Sequence, residues 1–149
     1  NPKVPNLDKW YSYTATYTGL HNRGFHSYAL AKMETDKETF LAKYAYTANY
    51  TFVFNEYSFP MKKETYYVPN SWIIDAVNLS VESKFQWIVT SSSLDAGWPH
   101  CGSIDHDPNR YNKSVRRKVE STVNGRKILQ DTNNSTVDFE ADATPSLKE

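Results

Sequence analysis

The chain has 149 residues, and its 17 Lys and Arg balance 17 Asp and Glu, so the formal net charge is zero. This length predicts one domain with a core that needs no metal or disulfide staple, and the neutral charge argues against nucleic acid, whose phosphates require a basic face. The 11 Tyr, 7 Phe and 4 Trp favour a β-rich domain or one that holds a flat apolar molecule.

The first two thirds of the chain predict a succession of short strands. Residues 1–8 contain two prolines and few apolar side chains, which predicts an N-terminal tail. Residues 10–18 read WYSYTATYT and place Tyr11 and Tyr13 on one face by alternation. Further strands are predicted at 25–33, 39–47, 50–56, 64–68, 71–78, 84–91 and around 100–106. Pro60 is expected to interrupt the chain between the strands at 50–56 and 64–68. Short strands at roughly ten-residue spacing are typical of an antiparallel barrel or sandwich.

The period of the apolar residues changes after residue 108. The positions that recur every four residues are Tyr111, Val115, Val119 and Val123. They predict a helix over about residues 109–124, with Gly125 as the residue that ends it. The alternative is a hairpin, because Asn124-Gly125 is a strong signal for a type I′ turn.

The remaining residues predict one short strand and a tail. Residues 126–132 are expected to form a last strand, and residues 133–149 a polar C-terminal tail. The single domain is therefore expected to cover residues 9–132.

Several stretches resemble the lipocalin family. Asp8-Lys9-Trp10-Tyr11 is similar to the family's first-strand Gly-x-Trp-Tyr, with Asp8 in place of Gly. Residues 71–75 and 85–89 resemble the paired sixth and seventh strands. Residues 107–133 resemble the closing segment, which is a Pro-containing link, an amphipathic helix and a hydrophobic pair. The family's usual disulfide cysteines are missing, since Cys101 is the single cysteine.

The resemblance implies a mainly β fold: an eight-stranded up-and-down antiparallel barrel with one C-terminal helix and a short ninth strand. In that fold Trp10 and Trp72 are structural, and alternating aromatic side chains face the interior. The expected ligand-binding residues are Tyr11, Tyr13, Tyr44, Tyr46, Phe52, Phe54, Phe85 and Trp87. The alternative for any one of them is ordinary core packing.

These residues predict a binding or carrier protein for a small hydrophobic or pigment-like molecule. A barrel of eight strands is wide enough for one small ligand, and inward Tyr hydroxyls supply scattered donors. A lipid, a carotenoid or a tetrapyrrole would suit such a lining, and no cofactor is required. The alternative is a secreted β-sandwich that binds carbohydrate or protein on exposed Trp and Tyr side chains.

The sequence favours a protein that is not an enzyme and holds no metal. It contains no paired carboxylates, phosphate-binding loop or nucleophile motif that would indicate catalysis. His100, Cys101, Asp105 and His106 are close in sequence, but their spacing matches no established zinc signature.

Asn-x-Ser/Thr sequons indicate a secreted glycoprotein. The glycosylation candidates are Asn49, Asn78, Asn112 and Asn133, with a further overlapping sequon at Asn134. This exceeds the roughly two sequons that chance predicts from the composition. No apolar run of about 18 residues is present, so no transmembrane segment is expected. The neutral charge weakens repulsion between copies, which favours a homo-oligomer.

Overall fold

The computed structural model describes Asp8, Trp10 and residues 23–146. Within this part of the chain, eight strands form four antiparallel two-stranded sheets. The prediction of a mainly β domain with antiparallel sheets is therefore confirmed. The predicted N-terminal tail and first strand, with Tyr11 and Tyr13, lie outside the described residues, apart from Asp8 and Trp10.

The elements of the first half run from residue 27 to residue 78. In chain order they are β1 (Ser27–Ala31), α1 (Lys37–Lys43), β2 (Ala45–Phe54), β3 (Tyr57–Tyr66), a 3₁₀ turn (Asn70–Trp72) and β4 (Ile73–Asn78). Strand β1 pairs with β4, and β2 pairs with β3. The predicted strands at 25–33 and 71–78 each contain an observed strand, β1 and β4. Those predicted at 50–56 and 64–68 overlap the ends of β2 and β3.

A helix replaces the start of the strand predicted at 39–47. Asp36 is its N-cap, because one carboxylate oxygen accepts from the Thr39 N–H at 2.8 Å and the other from the Thr39 hydroxyl at 2.7 Å. Phe40 and Tyr44 are four residues apart. They would share one face of a strand, and they also share one face of a helix, where four residues make about one turn. The cap and the burial of Phe40 decide in favour of the helix.

Strands β2 and β3 form one long hairpin with ten residues in each strand. Asn55 has a φ of 54° in the turn, and Phe54 pairs with Tyr57. The expectation that Pro60 interrupts the strand is wrong, since Pro60 lies within β3 opposite Thr51. A two-stranded sheet leaves each strand with an open edge, where the missing N–H of proline is tolerated.

The closed barrel is not found in the described residues, because each sheet there has only two strands. The predicted strands at 84–91 and 100–106 are loops that contain isolated bridges, Ser80 to His100 and Val81 to Lys84. Loops in this region are held by hydrogen bonds to the buried carboxylates of Asp95 and Asp107, and not by the backbone hydrogen bonds of a sheet.

The helix predicted over residues 109–124 is also wrong. These residues form a 3₁₀ turn (Pro108–Arg110), β5 (Ser114–Arg117) and β6 (Val119–Val123), and the last of these pairs with β7 (Arg126–Leu129). Asn124 and Gly125 have φ values of 51° and 77°, which is the backbone of the hairpin alternative. The β-branched valines and this turn outweigh the four-residue spacing.

The tail predicted from residue 133 is instead part of the fold as far as residue 143. It contains α2 (Ser135–Asp138) and β8 (Phe139–Ala143), which pairs with β5. The Asn134 side chain accepts from the Thr136 N–H at 3.2 Å and caps α2. Hydrogen bonds hold this polar stretch in the fold, and a search for periodic apolar residues does not reveal them.

The buried apolar side chains of the described residues lie mainly in β4 and in the loops that follow it. They are Phe40, Trp72, Ala76, Leu79, Val81, Cys101 and Ala143. None of the helices in the described part of the chain has the length and apolar character required to cross a membrane.

Candidate functional site

One face of the β2–β3 hairpin is strongly aromatic. Opposite residues of an antiparallel pair lie on the same face, so alternate residues of β2 share a face with their partners in β3. We call this the aromatic face, and its large side chains are Tyr46, Tyr50, Phe52, Phe54, Tyr57, Phe59 and Met61.

Much of the aromatic face is open to solvent near the hairpin turn. Phe54 is 47% exposed, Tyr57 69% and Phe59 46%. The rings of Phe52 and Phe54 are 6.4 Å apart and nearly parallel, at 9°. The Phe59 ring lies 6.3 Å from Phe52. A contiguous exposed apolar surface of this kind marks an interaction site more often than scattered single residues do.

Residues 23–25 pack against the middle of this face. The Phe25 ring lies 5.3 Å from Tyr50 and 5.6 Å from Phe52. The Arg23 guanidinium lies over the Phe52 ring at 5.4 Å, within the range of a cation–π contact. The apolar surface therefore has a cation at its side.

A cleft of ≈ 350 Å³ lies beside the hairpin turn and is lined by Arg23, Val53, Asn55 and residues 83–86. Among the described residues that line it, two are cations and none is a carboxylate. Both cations contact the same oxygen of Asp105, Arg23 at 3.5 Å and Lys84 at 3.2 Å. This volume is near the lower end of small-molecule sites.

The predicted ligand-binding residues that the structure describes divide among three clusters, while Tyr11 and Tyr13 lie outside the described residues. Tyr46, Phe52 and Phe54 lie on the aromatic face. Tyr44 is instead the C-cap of α1, and its ring lies 5.3 Å from Phe40 and 5.1 Å from Trp72.

The cluster around Phe40 also includes Trp10, one of the two tryptophans predicted to be structural. The Trp10 ring meets Phe40 edge-on at 5.7 Å, and Trp72 is buried. Phe40 is 2% exposed, and the rings of Trp10, Tyr44 and Tyr66 that contact it are half-buried, so this cluster is core packing around Phe40.

Phe85 and Trp87 form the third cluster with Trp98. The Phe85 ring stacks on Trp98 at 4.8 Å and meets Trp87 edge-on at 4.9 Å. The Trp98 indole N–H donates to the Val81 carbonyl at 3.2 Å, and Trp87 is 42% exposed. Phe85 also lines the cleft, which brings this cluster to the hairpin turn.

Arg23, Phe25 and the β3 half of the aromatic face were not among the residues predicted from the sequence. The signal was present in Tyr57, Phe59 and Met61, which alternate across from Phe54, Phe52 and Tyr50. Reading Pro60 as a strand break concealed this alternation. Nothing local in the sequence indicates the approach of Arg23 to Phe52.

Asp95 illustrates how the carboxylates of the loop region are used. It is 1% exposed and accepts from the backbone N–H groups of Asn78, Gly97 and Ser135 at 3.0, 3.2 and 2.7 Å. The Ser135 hydroxyl and the Asn78 side-chain amide also donate to it, at 2.6 and 3.1 Å. With its lone pairs occupied, Asp95 positions loops and has no capacity left to act on a substrate.

Asp107 and Asp138 are held in the same manner. Backbone N–H groups of Ser103 and Asn109 donate to Asp107 at 2.9 and 2.8 Å and hold the pKa of its carboxyl below the usual value. Burial acts to raise the pKa of Asp138, but hydrogen bonds led by the Thr132 N–H and hydroxyl outweigh it. The pKa of Asp138 is therefore also lowered.

Neither thiol chemistry nor metal binding is indicated by the described residues. Burial, reinforced by the nearby Asp142 carboxylate, raises the pKa of the Cys101 thiol, so the unreactive protonated form is favoured. Among the residues with described positions, no group of three His, Cys, Asp or Glu side chains is placed to hold a metal ion. The carboxylate of Asp105 faces Arg23 and Lys84.

The four candidate sequons differ in accessibility. Asn78 is fully buried, and its side-chain amide donates to Asp95 and to the Gly97 carbonyl at 3.1 Å, so it is not an acceptor in the folded domain. Asn49, Asn112 and Asn133 are exposed.

Comparison with known proteins gives a family without a described activity. No curated protein and no solved structure matches the chain. A family model described as "Protein of unknown function (DUF4876)" matches residues 1–146. Because this match covers nearly the whole sequence, the chain belongs to the DUF4876 family.

Proposed function

We propose that the chain is a binding or carrier protein that holds a small hydrophobic or pigment-like ligand against the aromatic face. The observation that carries this proposal is the contiguous row of half-exposed rings on one face of the hairpin, at Phe54, Tyr57 and Phe59. A flat or extended apolar molecule, such as a lipid, a carotenoid or a tetrapyrrole, would cover several rings at once.

The energetics favour such a ligand. Covering about 300 Å² of apolar surface contributes roughly 7 kcal/mol before the cost of association is subtracted. The rings of Phe54 and Phe59 both pack on Phe52, which is itself held by Phe25, so these two rings would lose little side-chain freedom on binding. A carrier role is also what the lipocalin resemblance implies, although the proposed ligand lies on an open face and not inside a closed barrel.

We further propose that the protein is secreted and carries glycans. The exposed sequons at Asn49, Asn112 and Asn133 support this. Asn49 is on the hairpin surface opposite to the aromatic face, so a glycan there would leave the ligand surface free.

A titration with the neutral apolar fluorophore Nile red tests the proposed ligand surface. The variant with Phe54→Ser and Phe59→Ser should weaken Nile red binding by about tenfold or more, because two half-exposed rings are removed. The matched control is Val123→Ser with Ile128→Ser on the exposed β6–β7 hairpin, which should change the affinity less than about twofold. Equal losses in the two variants would refute the proposal, as would absence of binding to the wild type.

A second copy of the chain is the competing occupant of the aromatic face. Light scattering during the same titration separates the two cases. A monomer that binds Nile red supports the small-molecule proposal. A dimer that dissociates in the hairpin double variant and binds no Nile red contradicts it.

Carbohydrate is the second candidate ligand, because the exposed Trp87 lies beside polar side chains of the cleft. Gln86 and Asn55 offer donors and acceptors near the stacked rings of Phe85 and Trp98. A glycan array decides between the two candidates. Strong sugar binding that is lost in Trp87→Ala but retained in the hairpin double variant would favour carbohydrate.

A further inference from the structure

We propose that the ligand carries an acidic head group, which Arg23 and Lys84 bind in the cleft beside the aromatic face. This inference rests on the proposed function and adds a chemical class to it. The ligand would be a hydrophobic carboxylate, with its apolar body on the aromatic face and its anionic end in the cleft.

Arg23 joins the two parts of the surface. Its guanidinium lies over the Phe52 ring on the aromatic face, and the same side chain lines the cleft. A ligand that covers Phe52 and Phe54 therefore meets a cation at the edge of the apolar surface. The Gln86 N–H donates to the Arg23 carbonyl at 3.0 Å, which fixes this backbone against the opposite wall of the cleft.

The charges of the cleft favour an anion. Arg23 and Lys84 share one carboxylate, Asp105, so one positive charge remains unbalanced among these three groups. Two carboxylates adjoin lining residues in sequence, Glu82 before Ser83 and Glu56 after Asn55, and neither lines the cleft. Glu82 accepts from the Ser103 hydroxyl at 2.9 Å. A cationic head group would be repelled, and a neutral one would gain no charge-assisted hydrogen bond.

The remaining lining suits a carboxylate as well. Ser83, Asn55 and Gln86 bring uncharged donors, and the Lys84 side chain is 58% exposed, so its ammonium can turn toward a ligand. Asp105 acts as a positioning residue, because it draws both cations to the same place. Arg23 supplies a planar fork that matches the two oxygens of a carboxylate.

Calorimetric titration with dodecanoate and with dodecanol tests this inference, because the two probes share a chain and differ in the head group. Both are used below the concentration at which they aggregate. Dodecanoate should bind about tenfold more tightly than dodecanol, as expected for charge-assisted hydrogen bonds. The preference should shrink at about 0.5 M NaCl, because the exposed Lys84 is then screened.

The variants assign the preference to the cleft. Lys84→Gln and Arg23→Gln should each reduce dodecanoate affinity several-fold and leave dodecanol affinity within about twofold. Lys84 is the safer position, because Arg23 also packs on Phe52 and its replacement could disturb the hairpin. The control is Lys113→Gln, which removes an equal charge from an exposed residue that lines neither the cleft nor the aromatic face, and it should change neither affinity.

The outcomes separate this inference from the proposed function. Equal affinity for the two probes would overturn the acidic head group and leave the hydrophobic ligand standing. If neither probe binds, both proposals fail. Binding to phosphatidylglycerol vesicles without binding of monomeric dodecanoate would overturn the inference in favour of a lipid surface.

Discussion

Buried aspartates connect distant parts of this chain. Asp95 links β4 to α2 by accepting from Asn78 and Ser135, which are 17 and 40 residues away in sequence. Asp138 accepts from Thr132 and Asn134 within the C-terminal stretch. Donors from separate segments converge on Asp95, and several local donors converge on Asp138. Each of these side chains is therefore expected to contribute more to stability than a surface ion pair.

Replacing Asp95 tests this at one residue. Asp95→Ala should lower the free energy of unfolding by roughly 3–5 kcal/mol, because several buried donors lose their acceptor. The matched control is Glu140→Ala, whose carboxylate is 57% exposed and 3.8 Å from Arg116, and it should cost less than about 1 kcal/mol. Urea unfolding measures both, and similar losses would contradict the structural role of Asp95.

The lowered pKa values of Asp107 and Asp138 predict loss of stability in acid. Their folded pKa values lie below the unfolded value of about 3.9, so their contribution is fully present above that pH. It is lost as the pH falls through the folded values, because the unfolded chain takes up protons first. Between about pH 7 and 5 these two groups should cause no change.

Urea unfolding at several pH values below about 5 measures this dependence. Asp138→Asn removes one of the groups with a lowered pKa, so the variant should lose less stability than the wild type between about pH 4 and 3. Parallel curves for the two proteins would show that Asp138 is not the source of the effect.

At the scale of elements, two glycines are required for different reasons. One position has no room for a side chain, and the other has a backbone conformation that favours glycine. A Cβ at Gly97 would overlap the side-chain oxygens of Asn134, the N-cap of α2, and of Thr136 in its first turn. Gly125 has a φ of 77°, but no atom lies within 4 Å of the position that a Cβ would take, so alanine there meets only backbone strain. The two substitutions should therefore differ in cost.

Gly97→Ala is expected to cost about 3 kcal/mol of unfolding free energy and to release α2 from the loop that it contacts. Gly125→Ala should cost about 1 kcal/mol, confined to the β6–β7 hairpin. Amide exchange gives the location: Ser135 should exchange faster in the first variant only. Faster exchange at Ser135 in Gly125→Ala would contradict the prediction that the β6–β7 hairpin and α2 respond independently.

The elements also show what the sequence could predict. Alternation identified the β2 residues of the aromatic face, because a half-exposed strand repeats every two residues. Alternation wrongly predicted a strand in place of α1, because the spacing of Phe40 and Tyr44 fits a strand as well as a helix. The Asp36 cap favours the helix. In residues 109–124 the four-residue spacing of valines competed with the Asn124-Gly125 turn, and the turn prevailed.

At the scale of the whole molecule, nonlocal contacts are what the sequence could not predict. The aromatic excess indicated a ring-lined binding surface, but the rings divide among the aromatic face, the Phe40 cluster and the Phe85 cluster. Their separation depends on which segments meet in space. Asp95 and Ser135, 40 residues apart, are joined by polar contacts that carry no periodic signal.

The central claim is that the aromatic face binds a small hydrophobic ligand. The most direct measurement is an NMR titration of protein labelled in its Phe and Tyr rings, with dodecanoate as the probe. We predict saturable shifts in the rings of Phe52, Phe54 and Phe59 and none in the buried ring of Phe40. Shifts confined to Phe85, or no shifts in any ring, would contradict the claim.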